Sequence, residues 1–177
     1  MTGAVSPPPG PSGAPRPVRY RLGRRIAAGG MGEVFLAEAV GEGAFSREVA
    51  VKRALPGRLE SSPEAEAMFI EEARLSGLLS HPNVVSVLDF GRGEDGAPFL
   101  VMEYVDGVTL ADLAKTGPIP YPLAIFVAGE MLSGLAHAHA LPRPGRVRGM
   151  VHRDVTPHNV LLSWEGAVKI ADFGIAK

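Results

Sequence analysis

No cysteine occurs anywhere in the 177 residues. That excludes a disulfide framework and any thiolate metal site, and it fits a reducing cytoplasm, the expected location. An excess of either charge is also lacking: 18 Lys and Arg stand against 19 Asp and Glu. A chain this close to neutrality carries no electrostatic footprint for nucleic acid or an acidic membrane surface, so no nucleic-acid partner is expected. No stretch approaches the roughly 18 consecutive apolar residues of a spanning helix. The first residues lack a basic stretch followed by an apolar run, so no signal peptide or membrane segment is expected within this chain. A membrane anchor beyond Lys177 stays open. The apolar share, 46%, suffices for one ordinary globular core at this length.

Residues 1–18 are dominated by Pro, Gly, Ser and Ala. Nothing large and apolar is there to offset the entropy of ordering, so this leader is expected to be disordered. Order is expected from about Tyr20. Arg21–Ile26, Glu33–Ala39 and Arg47–Arg53 read as strands joined by glycine-bearing turns, hence an antiparallel sheet. Ser62-Pro63 opens a helix whose stripe is Met68, Glu72, Leu75, Ser76 and Leu79, and His81-Pro82-Asn83 stops it. Val84–Phe90 and Pro98–Tyr104 read as further strands. A long helix over Pro122–Ala140 shows the stripe Ala124, Ala128, Met131, Leu135 and His139. A basic, turn-rich loop, PRPGRVRG, comes next, then short strands Val160–Leu162 and Val168–Ile170 around a turn at Glu165-Gly166.

Four patterns carry chemistry. The turn Ala27-Ala28-Gly29-Gly30-Met31-Gly32-Glu33-Val34 lies between strands, where glycines let backbone N–H groups approach phosphate oxygens. Alone it equals a glycine-rich hairpin. A dinucleotide fingerprint needs a helix after the glycines, and a phosphate-binding loop of the Gly-Lys-Ser/Thr kind needs residues that are absent. Lys52 ends Val49-Ala50-Val51-Lys52, and alternation does not force its burial. Glu72 lies on an apolar stripe, where a carboxylate is costly unless it meets a cation, and Lys52 is the cation that makes sense of it. His152-Arg153-Asp154 is followed by Asn159 and then by Asp172-Phe173-Gly174. A carboxylate can accept or orient a hydroxyl proton, and amide and carboxylate oxygens are hard ligands suited to magnesium. Any one Asp-bearing turn is commonplace; the ordered set is not.

From about Tyr20 to Lys177 the chain resembles the protein kinases, most of all bacterial members similar to the eukaryotic Ser/Thr kinases. The resemblance rests on the Gly-rich turn, Val49-Ala50-Val51-Lys52, Glu72, His81-Pro82-Asn83-Val84-Val85, Val101-Met102-Glu103-Tyr104-Val105, His152-Arg153-Asp154 with Asn159, and Asp172-Phe173-Gly174. It implies an α+β, protein-kinase-like fold: a five-stranded antiparallel N-lobe with one helix over residues 19–105, and an incomplete, mostly helical C-lobe over 106–177. It implies ATP and Mg2+ as cofactors and a protein Ser/Thr hydroxyl as the substrate. By the same resemblance Gly29 and Gly32 lie over the phosphates, within an ATP-binding turn that also comprises Ala27, Ala28, Gly30, Met31 and Glu33. Ile26 and Val34 lie against adenine, Ala50 and Leu161 sandwich it, and the backbone of Glu103 and Val105 bonds its edge, with Met102 at the back of the pocket. Lys52, oriented by Glu72, holds phosphates; Asp154 is the catalytic base; Asn159 and Asp172 hold magnesium; His152 and Phe173 pack beside them.

Three departures qualify this pattern. Ala27 stands where the family usually has a glycine. Thr156 stands where Ser/Thr kinases carry a lysine, although Pro157 keeps the Ser/Thr pattern. The sequence ends three residues after Gly174, which implies a nearly complete ATP site, little substrate surface and weak transfer by these residues alone. The competing reading is a non-catalytic ATP-binding or regulatory fragment that acts through a partner. A nicotinamide enzyme is excluded because no helix follows the glycines.

Overall fold

The structure is a computed structural model that describes residues 4–5, 19–29, 32–54, 63–141 and 149–173. The chain divides into two compact units: Met1–Ala73 with Val87–Tyr104, and Arg74–Ser86 with Val105–Lys177.

The first unit is an antiparallel sheet with a helix. Its strands are β1 (Ala4–Val5), β2 (Arg19–Gly29), β3 (Gly32–Val40), β4 (Ser46–Arg53), β5 (Val87–Arg92) and β6 (Pro98–Glu103), in the spatial order β1-β2-β3-β4-β6-β5. The five strands expected from sequence are present, and the two-residue β1 adds an edge that the leader's composition did not signal. The rest of the leader lies outside the described residues. Inward-facing residues alternate: Tyr20 and Leu22, Ala37 and Ala39, Val49 and Val51, Phe99 and Val101 form one core. Val84 is not part of β5. It makes a single parallel bridge to Ile170, and β5 begins at Val87 because only from there does the chain pair with β6. Helix α1 (Pro63–Ser76) buries Glu72 and Leu75 of the expected stripe together with Phe69 and Ala73, and Leu79 beyond its end is buried as well; Met68, the first member of that stripe, is instead 41% exposed.

The sheet curls until outlying strands meet. Tyr20 of β2 donates its phenol to Asp89 of β5 at 2.7 Å, although three strands intervene in the sheet order. The Tyr20 ring also stands edge-on to Phe99, with centroids 5.9 Å apart. Burial, reinforced by the neighbouring carboxylate, raises the phenol's pKa above its ordinary value, so Tyr20 stays a donor. Tyr20→Phe is expected to lower unfolding free energy by about 1 kcal/mol, since water can reach the exposed Asp89 and satisfy it. Urea denaturation checks this, and an unchanged midpoint would show that the closing bond adds nothing.

The second unit contains β7 (Gly107–Thr109), α2 (Leu110–Lys115), α3 (Tyr121–Ala140), β8 (Val160–Ser163) and β9 (Val168–Ile170), with β7-β8-β9 as a small antiparallel sheet. Thr109 caps α2 by accepting from the Asp112 amide at 3.0 Å. Helix α3 buries Val127, Gly134 and Ala138, with Met131 and Leu135 packed partly buried beside them. Ala124, Ala128 and His139 of the expected stripe are exposed. This helix is apolar on nearly every side, so spacing alone could not set its phase. By length and mean hydropathy of 1.2 it could cross a membrane, but its inner face belongs to two clusters of a globular core. One joins Leu75, Leu79, Val84, Ala138, Met150, Ile170 and Phe173; the other joins Val127, Val160 and Val168.

Candidate active site

In the first unit the site residues grow out of β4. Its register sets Lys52 opposite Val34 on β3 and Leu100 on β6, and Ala50 opposite Leu36 and Met102. Val49, Ala50, Val51 and Lys52 are all buried, so both faces of β4 are covered here and the alternation argument understated Lys52. Its Nζ lies 2.8 Å from Glu72 Oε1, with the two residues only 5% and 4% exposed. The sequence reading of Glu72 as the carboxylate for Lys52 therefore matches the geometry. The Gly-rich turn closes at the pair Gly29 and Gly32. A Cβ on Gly32 would come 2.3 Å from the Arg53 carbonyl oxygen, so no other residue fits there without moving β4. Ala27, Ala28 and Gly29 are exposed, Ile26, Glu33 and Val34 half-buried, and Gly30 and Met31 lie outside the described residues. Met102 is buried, while Glu103, at the end of β6, is half-buried.

In the second unit a loop and a hairpin hold the remaining polar groups. Pro157–Asn159 form a 3-10 turn that leads into β8. Asn159 Nδ2 donates to the Asp154 carbonyl at 2.9 Å and to Asp154 Oδ2 at 3.1 Å. The Asn159 carbonyl in turn accepts from the Ala171 amide at 2.8 Å, next to Asp172. His152 links the same two segments: its Nδ1 accepts from the Asp154 amide at 3.3 Å, and Nε2 lies 3.0 Å from the Ala171 carbonyl. Both contacts are met by the neutral tautomer with its proton on Nε2. Phe173 packs on the His152 ring at 4.5 Å between centroids. Leu161 and Val105 are half-buried. Gly174 and the basic run 142–148 lie outside the described residues.

Two features here left no sequence signal. Arg153 (φ 64°) and Asp172 (φ 55°) are the only non-glycine residues in the left-handed region among the described residues. Each such residue costs on the order of 1–2 kcal/mol and persists only where its surroundings over-determine it. The sequence reading also took His81-Pro82-Asn83 as a helix stop and as part of the family resemblance, without a role for Asn83, yet Asn83 is 6% exposed. A buried amide in a turn is the signal that would have marked it.

Burial lowers the His152 pKa below its ordinary 6.5, outweighing the opposing pull of the Ala171 carbonyl and nearby carboxylates. The unfolded state therefore takes up a proton first. The stability that neutral His152 contributes is whole above the unfolded value and is lost as pH falls from there through the folded one. Wild type is expected to lose stability on acidification below about pH 6.5 more steeply than His152→Gln. Parallel slopes in pH-dependent urea melts would refute this.

The residues fit magnesium by donor type. Asn159 commits its amide nitrogen to Asp154, which leaves the amide oxygen as the atom able to face a cation, and Asp172 supplies a carboxylate. Magnesium is characteristically held by one or two protein oxygens together with phosphates and water. No group of three or more His, Asp or Glu suited to a metal occurs among the described residues, so an all-protein cage is not what this loop offers.

Comparison with known proteins agrees. The protein kinase domain model matches residues 20–177. The chain is 41% identical over 164 residues to tyrosine-protein kinase MasK of Myxococcus xanthus, covering 89% of this chain and 25% of that protein. It is 40% identical to serine/threonine-protein kinase PknB of Mycobacterium leprae, covering 90% and 24%, and 39% identical to PrkC of Bacillus subtilis, covering 89% and 23%. It thus spans about a quarter of the length of the curated relatives it matches. Among solved structures, the Mycobacterium tuberculosis PknI kinase domain superposes with TM-score 0.68 at 29% identity, over 89% of this chain and 60% of that one. The matched span, the sheet-and-helix architecture and the ordered motifs lead to one assignment: the chain belongs to the protein kinase family.

Proposed function

We propose that the protein is an ATP-dependent serine/threonine kinase that transfers the γ-phosphoryl group to a protein hydroxyl. The observation that carries this reading is Asn159, whose side-chain nitrogen donates to Asp154 and whose backbone carbonyl accepts from the amide of Ala171, the residue before Asp172. One hydrogen-bonded unit thereby orients a carboxylate for the incoming hydroxyl and two oxygen donors for magnesium, which neutralises phosphate charge when bound. In the first unit Lys52, held by Glu72, takes the phosphates, the backbone around Gly29 and Gly32 covers them, Ala50, Ile26 and Val34 serve adenine and Glu103 bonds its edge; in the second unit Leu161 and Val105 are the residues that the family resemblance assigns to the same ligand. Asp154 orients the hydroxyl and receives its proton.

The hydroxyl class follows Pro157 and the names of PknB and PrkC. The name of MasK and the Thr156 departure favour tyrosine as the second reading. Incubation with γ-labelled ATP, magnesium and a general protein substrate, followed by phosphoamino-acid analysis, separates them. Label on serine or threonine is the expected result, and label on tyrosine moves the assignment. Magnesium-dependent ATP binding without any transfer would instead favour the non-catalytic, partner-directed reading.

A further inference from the structure

Asn83 sits in the turn after α1, and one face of α3 is built around that turn. Glu130, Ser133, Gly134 and His137 recur at helical spacing on this face. Glu130 Oε2 accepts from Asn83 Nδ2 at 2.6 Å, and Ser133 Oγ lies 3.5 Å from His81 Nε2. His137 stacks on His81 at 5.0 Å. Gly134 allows the close approach: a Cβ there would meet the Asn83 carbonyl oxygen at 2.8 Å.

The turn reaches further than α3. Asn83 Nδ2 also donates to the Val168 carbonyl at 3.0 Å, and the Asn83 carbonyl accepts from the Ile170 amide at 2.9 Å. Val85 N–H donates to the Ile170 carbonyl at 2.9 Å. Strand β9 is therefore bonded along both edges, by β8 on one side and by residues 83–85 on the other. Two residues beyond Ile170 comes Asp172, in a left-handed conformation that a non-glycine residue holds only when its approach is fixed. The Asn83 amide spends its nitrogen on Val168 and Glu130 together. The charge-assisted bond to Glu130 sets the rotamer with which Asn83 grips β9.

We propose that Glu130 is a positioning residue for Asp172, acting through Asn83 and the outer edge of β9 on the magnesium affinity of the site. This rests on the kinase reading above, in which Asp172 is a metal ligand. Glu130→Met removes the acceptor at similar volume and high helix propensity, while Glu130→Gln keeps an acceptor oxygen. The readouts are magnesium titration of ATP binding, hydrogen exchange of the Ile170 amide and thermal melting, with Asp172→Asn as control. The expected result is that E130M raises the magnesium requirement about 10-fold, the scale of outer-shell effects on metal sites. It also speeds exchange at Ile170, leaves metal-free ATP affinity unchanged, and is restored by E130Q. A lower melting temperature with an unmoved magnesium requirement overturns the proposal, as does an E130M chain that does not fold, since the bond then serves stability alone. If the wild type shows no magnesium response that Asp172→Asn removes, the kinase reading itself fails and takes this proposal with it. An intact Asp172-dependent response that E130M leaves untouched sinks only the role of Glu130.

Discussion

Glu72→Leu is expected to cost about 3–5 kcal/mol of folding free energy, because it strips the carboxylate from an ammonium that is 5% exposed. Lys52→Met is expected to cost a comparable amount by stranding the carboxylate. The double variant, with both charges replaced by apolar groups of similar size, should return close to wild-type stability, since the pair's mutual attraction largely offsets the desolvation of both ions. The three unfolding free energies form a double-mutant cycle with a large coupling term. A Glu72→Leu cost below about 1 kcal/mol would mean that the 2.8 Å contact behaves like a surface ion pair. The cycle also separates stability from function, because the double variant should fold and yet have lost the cation proposed to handle phosphate.

Asp154→Asn is expected to reduce phosphoryl transfer by about 100- to 10,000-fold, the usual range for removing a general base. The fold should tolerate it, since an amide oxygen at position 154 can still accept from Asn159 Nδ2, the bond now measured at 3.1 Å. Nucleotide and magnesium binding should persist, because neither is assigned to Asp154. The effect should therefore fall on kcat and leave the KM for ATP in place. Transfer that survives the substitution would remove Asp154 from the base role. Loss of ATP binding alongside transfer would show that the change had disturbed Asn159 instead.

Much of this was legible in the sequence, for reasons that differ from element to element. The first-unit strands announced themselves through β-branched runs and glycine turns, and the paired Lys52 and Glu72 through the cost of a carboxylate on an apolar stripe. The burial of Lys52 was not legible, because alternation describes one face of a sheet and β4 is covered on both. The phase of α3 was hidden by its uniformly apolar composition, and the choice of Ala124 and Ala128 over Val127 follows from that. In the α1 stripe Glu72, Leu75 and Leu79 were legible, and only Met68 gives way to Phe69, because both side chains are apolar and only packing distinguishes them. Strand β7 has three residues and exists only because β8 lies beside it, a long-range cause that local reading cannot see. The Asn83 turn was legible as punctuation but not as a junction, since its partners are 47 and 85 residues away.

The left-handed backbone at Arg153 bears on how this protein would respond to directed evolution. A library ranked only by heat resistance should enrich glycine or asparagine at position 153, where either relieves the penalty that an arginine carries at φ 64°. Such winners would retain the Asp154 carboxylate next door, the proposed base, and yet hold it on a more permissive backbone. Ranking the same library by turnover should invert the order, so position 153 is where a thermostability screen and an activity screen ought to part company.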